Sequence, residues 1–424
     1  MIIAIFVGLL LILFLMGFAV PYALTITAVV GMLYNGTFNL IGIGTIAQKL
    51  TAGTNSFVLL AIPFFMLAGK MMNVGSITKR IFKFCNALVG WIPGGLGQVN
   101  ILASVVFAGM SGSAVADAAG LGTIEIEAMK EEGFDVDFAA GITAASSTLG
   151  PIIPPSIPLV VFGSACGVSI SSLLVGGILP GALCAICLGL MVAIISIKRH
   201  YPRRGLPTLK ELWELFRKSF LSLLTPVILI GGILSGIFTA TEAAGVATLY
   251  ATILVCGIYR EVGFKQVVAT LKSSAREAVA IMLVVAGSTL YGYMITKFQI
   301  PTIALNFFLS ISSSKYIFLL MVNIFLIFVG CFMDANAAIM IIGPILTPAA
   351  LAFGVDPVQF GLVMVFNLMI GLNTPPVGTC LYATARVANI SFDRMVKAVI
   401  VYYIPLAITL IAITMIPALT LCLL

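Results

Sequence analysis

The chain has 424 residues, of which 61% are hydrophobic and only 9% charged. A soluble domain carries about 25% charged residues, so the composition excludes a soluble enzyme and leaves a polytopic membrane protein. The formal net charge of +7 then reflects a cytoplasmic excess of Lys and Arg rather than a nucleic-acid partner. At about 20 residues per crossing there is room for roughly a dozen membrane segments.

The first apolar run, Ile2 to Val20, has no basic leader and no small-residue cleavage site, and reads as a transmembrane helix rather than a removed signal peptide. Its apolar region continues to about residue 33, bent near Pro21. Further apolar segments are expected at 55–72, 96–116, 138–170 and 172–197. Between the third and fourth, Glu125 to Asp137 holds six acids and Lys130 among thirteen residues, which predicts an exposed polar turn. Residues 100–170 therefore read as a bundle of helices rather than one span.

Residues 198–218 carry seven cations (Lys198, Arg199, Arg203, Arg204, Lys210, Arg217 and Lys218) against Glu211 and Glu214. This is the strongest basic loop, which places it in the cytoplasm. Leu212, Trp213, Leu215 and Phe216 beside those charges suit a helix lying on the membrane surface. The loop divides the chain into a first repeat, 1–197, and a second, 219–424. Apolar runs in the second half fall near 220–238, 243–259, 278–295, 316–333, 337–352, 358–372 and 396–423.

Two stretches interrupt the apolar pattern. Residues 146–158 read Ser-Ser-Thr-Leu-Gly-Pro-Ile-Ile-Pro-Pro-Ser-Ile-Pro, and residues 371–378 read Gly-Leu-Asn-Thr-Pro-Pro-Val-Gly. Proline removes a backbone donor and breaks a helix, and irregular backbone at membrane depth must be buried in protein or line a wet cavity. One such break is an ordinary kink. Two, in corresponding places, point to a transporter's binding site. Counting supports the correspondence: Asp117 precedes Pro154 by 37 residues (154 − 117) and Asp334 precedes Pro375 by 41 (375 − 334). If the halves are inverted, each crosses the membrane an odd number of times and both termini lie outside.

Broken helices expose free carbonyls at one end and free N–H groups at the other. Carbonyls with the oxygens of Ser146, Ser147, Thr148, Asn373 and Thr374 suit a hard cation such as Na⁺, and the N–H ends suit a carboxylate. Asp117 and Asp334 sit among small residues, where an intramembrane carboxylate is either functional or a helix cap. Arg386 either neutralises a substrate carboxylate or snorkels to the interface. Glu242 is expected to pair with a neighbouring helix, and Lys70 and Lys297 to anchor segment ends.

Absences narrow the function. There is no P-loop, no HExxH, no GxSxG and no regularly spaced Arg series, so the energy for transport must come from an ion gradient or a partner. Cys184 and Cys187 lack a second pair, and His200 lacks a partner for metal or triad chemistry. An intramembrane aspartyl protease would need Asp117 with Asp334, and neither lies in a GxGD sequence. The halves are also not a short repeated pore module, which argues against a channel.

Gly-Pro-Ile-Ile-Pro-Pro-Ser (150–156), Ser-Gly-Ser-Ala-Val-Ala-Asp (111–117), Asn-Thr-Pro-Pro-Val-Gly (373–378) and Ile62-Pro63-Phe64-Phe65 together resemble the large membrane subunit of tripartite ATP-independent periplasmic (TRAP) transporters of the C4-dicarboxylate or sialic acid type. The resemblance covers essentially the whole chain. It implies an all-α polytopic fold of two inverted repeats, each with a re-entrant hairpin, working as a sodium-driven elevator in the bacterial inner membrane. It implies no enzyme activity and no cofactor beyond Na⁺ as coupling ion. Two partners follow: a small membrane subunit, expected as a separate chain, and a periplasmic binding protein that delivers the acid. On the matching positions, Na⁺ falls to Ser147, Thr148, Gly150 and Pro151 at the first tip and to Asn373, Thr374 and Pro375 at the second. Substrate falls to Ser113, Asp334 and Arg386. The competing expectation is a stand-alone Na⁺- or H⁺-coupled dicarboxylate or gluconate-like permease.

Overall fold

A computed structural model describes residues 4–36, 38 and 40–424. Every regular element among the described residues is helical, as lipid demands of a chain whose backbone groups must all pair internally. Eight helices are long and apolar enough to span a bilayer, among them Phe57–Val74, Leu209–Leu234, Phe264–Lys297 and Lys315–Phe332. Shorter apolar helices sit between them.

Four of these shorter helices make two hairpins. The first enters as Val136–Ser146, turns through Ser147–Leu149 and the proline-rich tip, and returns as Ile157–Cys166. The second enters as Pro357–Leu372 and returns as Thr379–Ala388. An 11-residue arm is only about 16 Å long, roughly half the hydrocarbon thickness, so the chain must turn back inside. Ser156 closes the first tip: its hydroxyl accepts from the Leu159 N–H at 3.2 Å and donates to the Pro151 carbonyl. The Pro154–Pro155 and Pro375–Pro376 bonds are both cis.

Facing each tip is a broken helix. Leu96–Ser111 stops at Gly112, whose φ of 58° is left-handed and where a Cβ would lie 2.8 Å from the Pro155 carbonyl oxygen. Only glycine fits both demands. Ser113 then caps Ala114–Ala119, accepting from the Ala116 N–H at 3.4 Å. In the second half, Lys315–Phe332 ends at an extended Met333. Asp334 caps Ala335–Ala352 there, accepting from the N–H groups of Asn336 (2.9 Å) and Ala337 (3.4 Å). The structural equivalents are therefore Ser113 and Asp334, each 41 residues before the first proline of its cis pair (154 − 113 and 375 − 334). The count that paired Asp117 with Asp334 was one helical turn out of register.

The packing between the halves is crossed. The returning arm Ile157–Cys166 of the first hairpin packs on Ala335–Ala352, the helix after the second break, and the returning arm Thr379–Ala388 packs on Ala114–Ala119. Likewise Ile170–Gly176 lies against Pro357–Leu372, and Phe392–Val399 against Val136–Ser146. Around this core run Phe57–Val74, packed on both Ala240–Ile258 and the 34-residue Phe264–Lys297, and the last of these packs in turn on Val20–Tyr34 and Leu40–Thr54.

Three local expectations change. Residues 209–220 are no separate surface helix but the start of the continuous helix Leu209–Leu234. The bend near Pro21 is a full break at residues 16–19, and Pro21 sits in the first turn of Val20–Tyr34, where its missing N–H costs nothing. Among the described residues Glu242 pairs with no neighbouring helix: it closes a capping box with Thr239 at the start of its own helix.

Candidate functional site

A cleft of about 120 Å³ opens where the core meets the surrounding helices. From the core it receives Gly112 and Ser113 at the first break, Pro151 at the first tip, and Asp334 and Asn336 at the second break. From the surrounding helices come Lys70 and Asn73 of Phe57–Val74 and Glu277 of Phe264–Lys297. Lys70 donates to Glu277 Oε1 at 2.5 Å and to Ser273 Oγ at 2.7 Å.

Behind the cleft the first tip is wholly buried. The hydroxyls of Ser147 and Thr148 donate to the carbonyls of Ala144 and Ala145, both at 2.7 Å. A Cβ on Gly150 would lie 3.7 Å from the Ser113 carbonyl, so this tip rests directly on its own half's break. At the second tip Asn373 is fully buried and its Oδ1 accepts no hydrogen bond among the described residues. Tyr403 Oη donates to the Asn373 carbonyl at 2.6 Å, Thr374 Oγ1 donates to the Ile370 carbonyl at 2.7 Å, and Gly378 N–H reaches the Cys331 carbonyl at 3.3 Å. Thr374 and Pro375 are half-buried.

Beside the first tip lies a polar cluster. Asn100 Nδ2 donates to Glu125 Oε2 (2.7 Å) and Thr143 Oγ1 (2.8 Å), Ser146 Oγ donates to Asn100 Oδ1 (2.7 Å), and Ser104 Oγ donates to Ser146 Oγ (3.2 Å). Asp117 and Glu125 are both buried, each with one oxygen lacking a partner, and no Lys or Arg pairs with either among the described residues. Glu125 is thus no part of an exposed turn; the exposed acids begin after it.

Of the substrate residues read from the sequence, Ser113 and Asp334 meet in the cleft and Arg386 does not. Arg386 is exposed in the last turn of Thr379–Ala388 and forms no ion pair among the described residues. Of the Na⁺ residues, only Pro151 lines the cleft. Sequence reasoning missed Lys70, Asn73, Glu277 and Asn336. The available signal was the spacing of Lys70 and Asn73, which puts both on one helix face.

Residues 7–419 match the family described as "Tripartite ATP-independent periplasmic transporter, DctM component". The chain belongs to this family. As a DctM-type TRAP permease it is a multi-pass inner-membrane transporter subunit and not an enzyme. It is 43% identical over 383 residues to the sialic acid TRAP transporter large permease protein SiaM of Vibrio cholerae, covering 90% of each chain. It is 41% identical over 419 residues to the sialic acid TRAP transporter permease protein SiaT of Haemophilus influenzae, covering 98% of this chain and 67% of that one. Against the C4-dicarboxylate TRAP transporter large permease protein DctM of Pseudomonas aeruginosa the identity is 37% over 379 residues, 89% of each. The fold also resembles the YdaH transporter of Alcanivorax borkumensis, with a TM-score of 0.64 over 89% of both chains at 12% identity.

Proposed function

We propose that this TRAP permease takes up a small organic acid of the sialic acid or C4-dicarboxylate class, coupled to Na⁺, by an elevator movement of the two hairpins and their broken helices. The observation that carries the reading is the cleft where both helix breaks and the first tip converge against the surrounding helices. The crossed packing of the hairpins supports two inverted repeats, and the long helix Phe264–Lys297 fits a fixed frame. A periplasmic binding protein delivers the acid, and a small membrane subunit braces the frame.

Ser113 and Asp334 are assigned to substrate. Arg386 shares that role on the sequence resemblance alone. Na⁺ is assigned to Ser147, Thr148, Gly150, Pro151, Asn373, Thr374 and Pro375. The orphaned Asn373 oxygen and the buried, cation-free Asp117 favour a cation nearby, since an isolated buried carboxylate is prohibitively costly. The loop 198–218 is cytoplasmic; a cysteine at position 208 should resist a membrane-impermeant label applied to intact cells.

The test is uptake into liposomes under an imposed Na⁺ gradient, with and without the binding protein and small subunit, across sialic acid, dicarboxylates and keto acids. Sodium-dependent uptake of an acid only with both partners supports the reading. Full-rate uptake by the chain alone would replace it with a stand-alone permease, and gradient-independent uptake would remove the coupling.

A further inference from the structure

The cleft contains charge that the proposed site does not use. Its lining holds two carboxylates, Asp334 and Glu277, and one cation, Lys70. An acid entering this space meets Asp334 as a repulsive neighbour, so it needs a cation within reach. Arg386 lies outside the lining. Lys70 is inside it, with its side chain only 25% exposed, while its partner Glu277 is 54% exposed. Glu277 is the more exposed partner and lines the same open cleft, which gives it room to turn away from Lys70.

A second group in the same lining is also unspent. Asn336 Oδ1 is buried and accepts no hydrogen bond among the described residues. A buried acceptor left unpaired is costly, and a site built around one discriminates against ligands that cannot donate to it.

We propose that Lys70, released from Glu277, is a substrate-binding residue that takes the single carboxylate of a hydroxylated acid, with Asn336 accepting from one of its hydroxyls. The inference rests on the transport reading above and narrows its substrate class. A second carboxylate in the cleft would face Asp334 or Glu277 with no further lysine or arginine among the lining residues, and an unsubstituted dicarboxylate has no donor for Asn336.

The two partners of the ion pair give the test opposite signs. Binding of sialic acid and of succinate to the purified full chain in sodium-containing detergent buffer is measured by ligand-induced thermal shift. The expected results are a preference for sialic acid over succinate of at least about tenfold, a weakening of at least about tenfold in Lys70→Gln, and near wild-type affinity in Lys70→Arg. Glu277→Gln should bind sialic acid as tightly as wild type or more so, because Lys70 loses its competing anion. A purely structural ion pair would instead make Lys70→Gln and Glu277→Gln equally harmful through lowered stability, which the unliganded melting temperature reports. Wild-type affinity in Lys70→Gln, equal weakening in Glu277→Gln, or a preference for succinate overturns the inference while leaving the transport reading standing. If the wild-type chain neither binds these acids nor takes up any acid with its partners in liposomes, the transport reading itself has failed.

Discussion

Two hairpins, each facing a broken helix, stand on different polar interiors. Under the first hairpin, the Asn100–Thr143–Ser146 cluster ends in the buried carboxylate of Glu125, and Asp117 is a second buried carboxylate on the same side. Under the second, the equivalent interface is neutral: Asn367 Nδ2 donates to Asn323 Oδ1 at 2.9 Å and Asn323 Nδ2 to Thr414 Oγ1 at 3.1 Å. At the helix breaks the charge is exchanged, with a hydroxyl capping in the first half and the carboxylate of Asp334 in the second. The tips differ as well. Residues 146–158 are buried throughout, whereas Pro376 and Val377 are exposed. Both breaks face a proline-rich tip, but the two sites differ in where anionic charge is lodged and in which tip is open.

Moving charge across that divide is the most severe way to break the comparison. Asn367→Asp places a carboxylate in the neutral interface, where Asn367 is fully buried and gives up its donations to Asn323 and to the Val363 carbonyl. An uncompensated buried charge costs about 3–5 kcal/mol, and thermal unfolding in detergent should show it as a large drop in melting temperature. Gly371→Ala acts through packing instead. Its Cβ would lie 2.5 Å from Gly330 Cα where two helices cross beneath the second tip, and rigid backbone contact makes an overpacking cost of about 1–3 kcal/mol, read in the same assay. Tyr403→Phe removes the 2.6 Å bond to the Asn373 carbonyl. About 1 kcal/mol should be lost, and protease cleavage near residues 374–377 should rise, since no matching tyrosine is needed at the buried first tip. Glu125→Gln makes the first half resemble the second. Because the substituted amide can still accept from Asn100 while a buried charge disappears, stability should change by no more than about 1 kcal/mol, and a loss as large as that of Asn367→Asp would refute the contrast.

Much of this was legible in the chain. Prolines at 151, 154, 155, 375 and 376 mark both tips because each removes a backbone donor and breaks the helix inside an apolar run. Asp334 stood out through its small-residue surroundings, whereas Ser113 entered only through the family resemblance. The register between them was not legible, because a cap is recognised by the helix it starts, and Asp117 one turn inside Ala114–Ala119 looks the same in sequence. Lys70 reads as an anchor because lysine at a segment end usually is one; its meaning depends on Glu277, 207 residues away. Glu125 reads as exposed because its neighbours Glu127, Glu131 and Glu132 are, and local charge density cannot reveal one helix face turned toward Asn100. Arg386 shows the limit of sequence proximity: its closeness to the second tip does not bring it into the cleft lining.

The sodium activation curve of acid uptake, measured at saturating binding protein, tests the central claim that the tips and breaks form the coupling site. Asn373→Ala and Ser147→Ala each remove one neutral oxygen and should lower apparent sodium affinity about ten- to a hundredfold, corresponding to about 1–3 kcal/mol. The orphaned Asn373 Oδ1 makes Asn373→Ala the stronger of the two. Asp334→Asn, which also removes a fixed negative charge, should be more damaging than either, and Cys184→Ala, in the wall of Ile178–Arg199, should leave the curve unchanged. Wild-type sodium dependence in Asn373→Ala, Ser147→Ala and Asp334→Asn together would mean that the tips are only proline kinks and that the coupling site lies elsewhere.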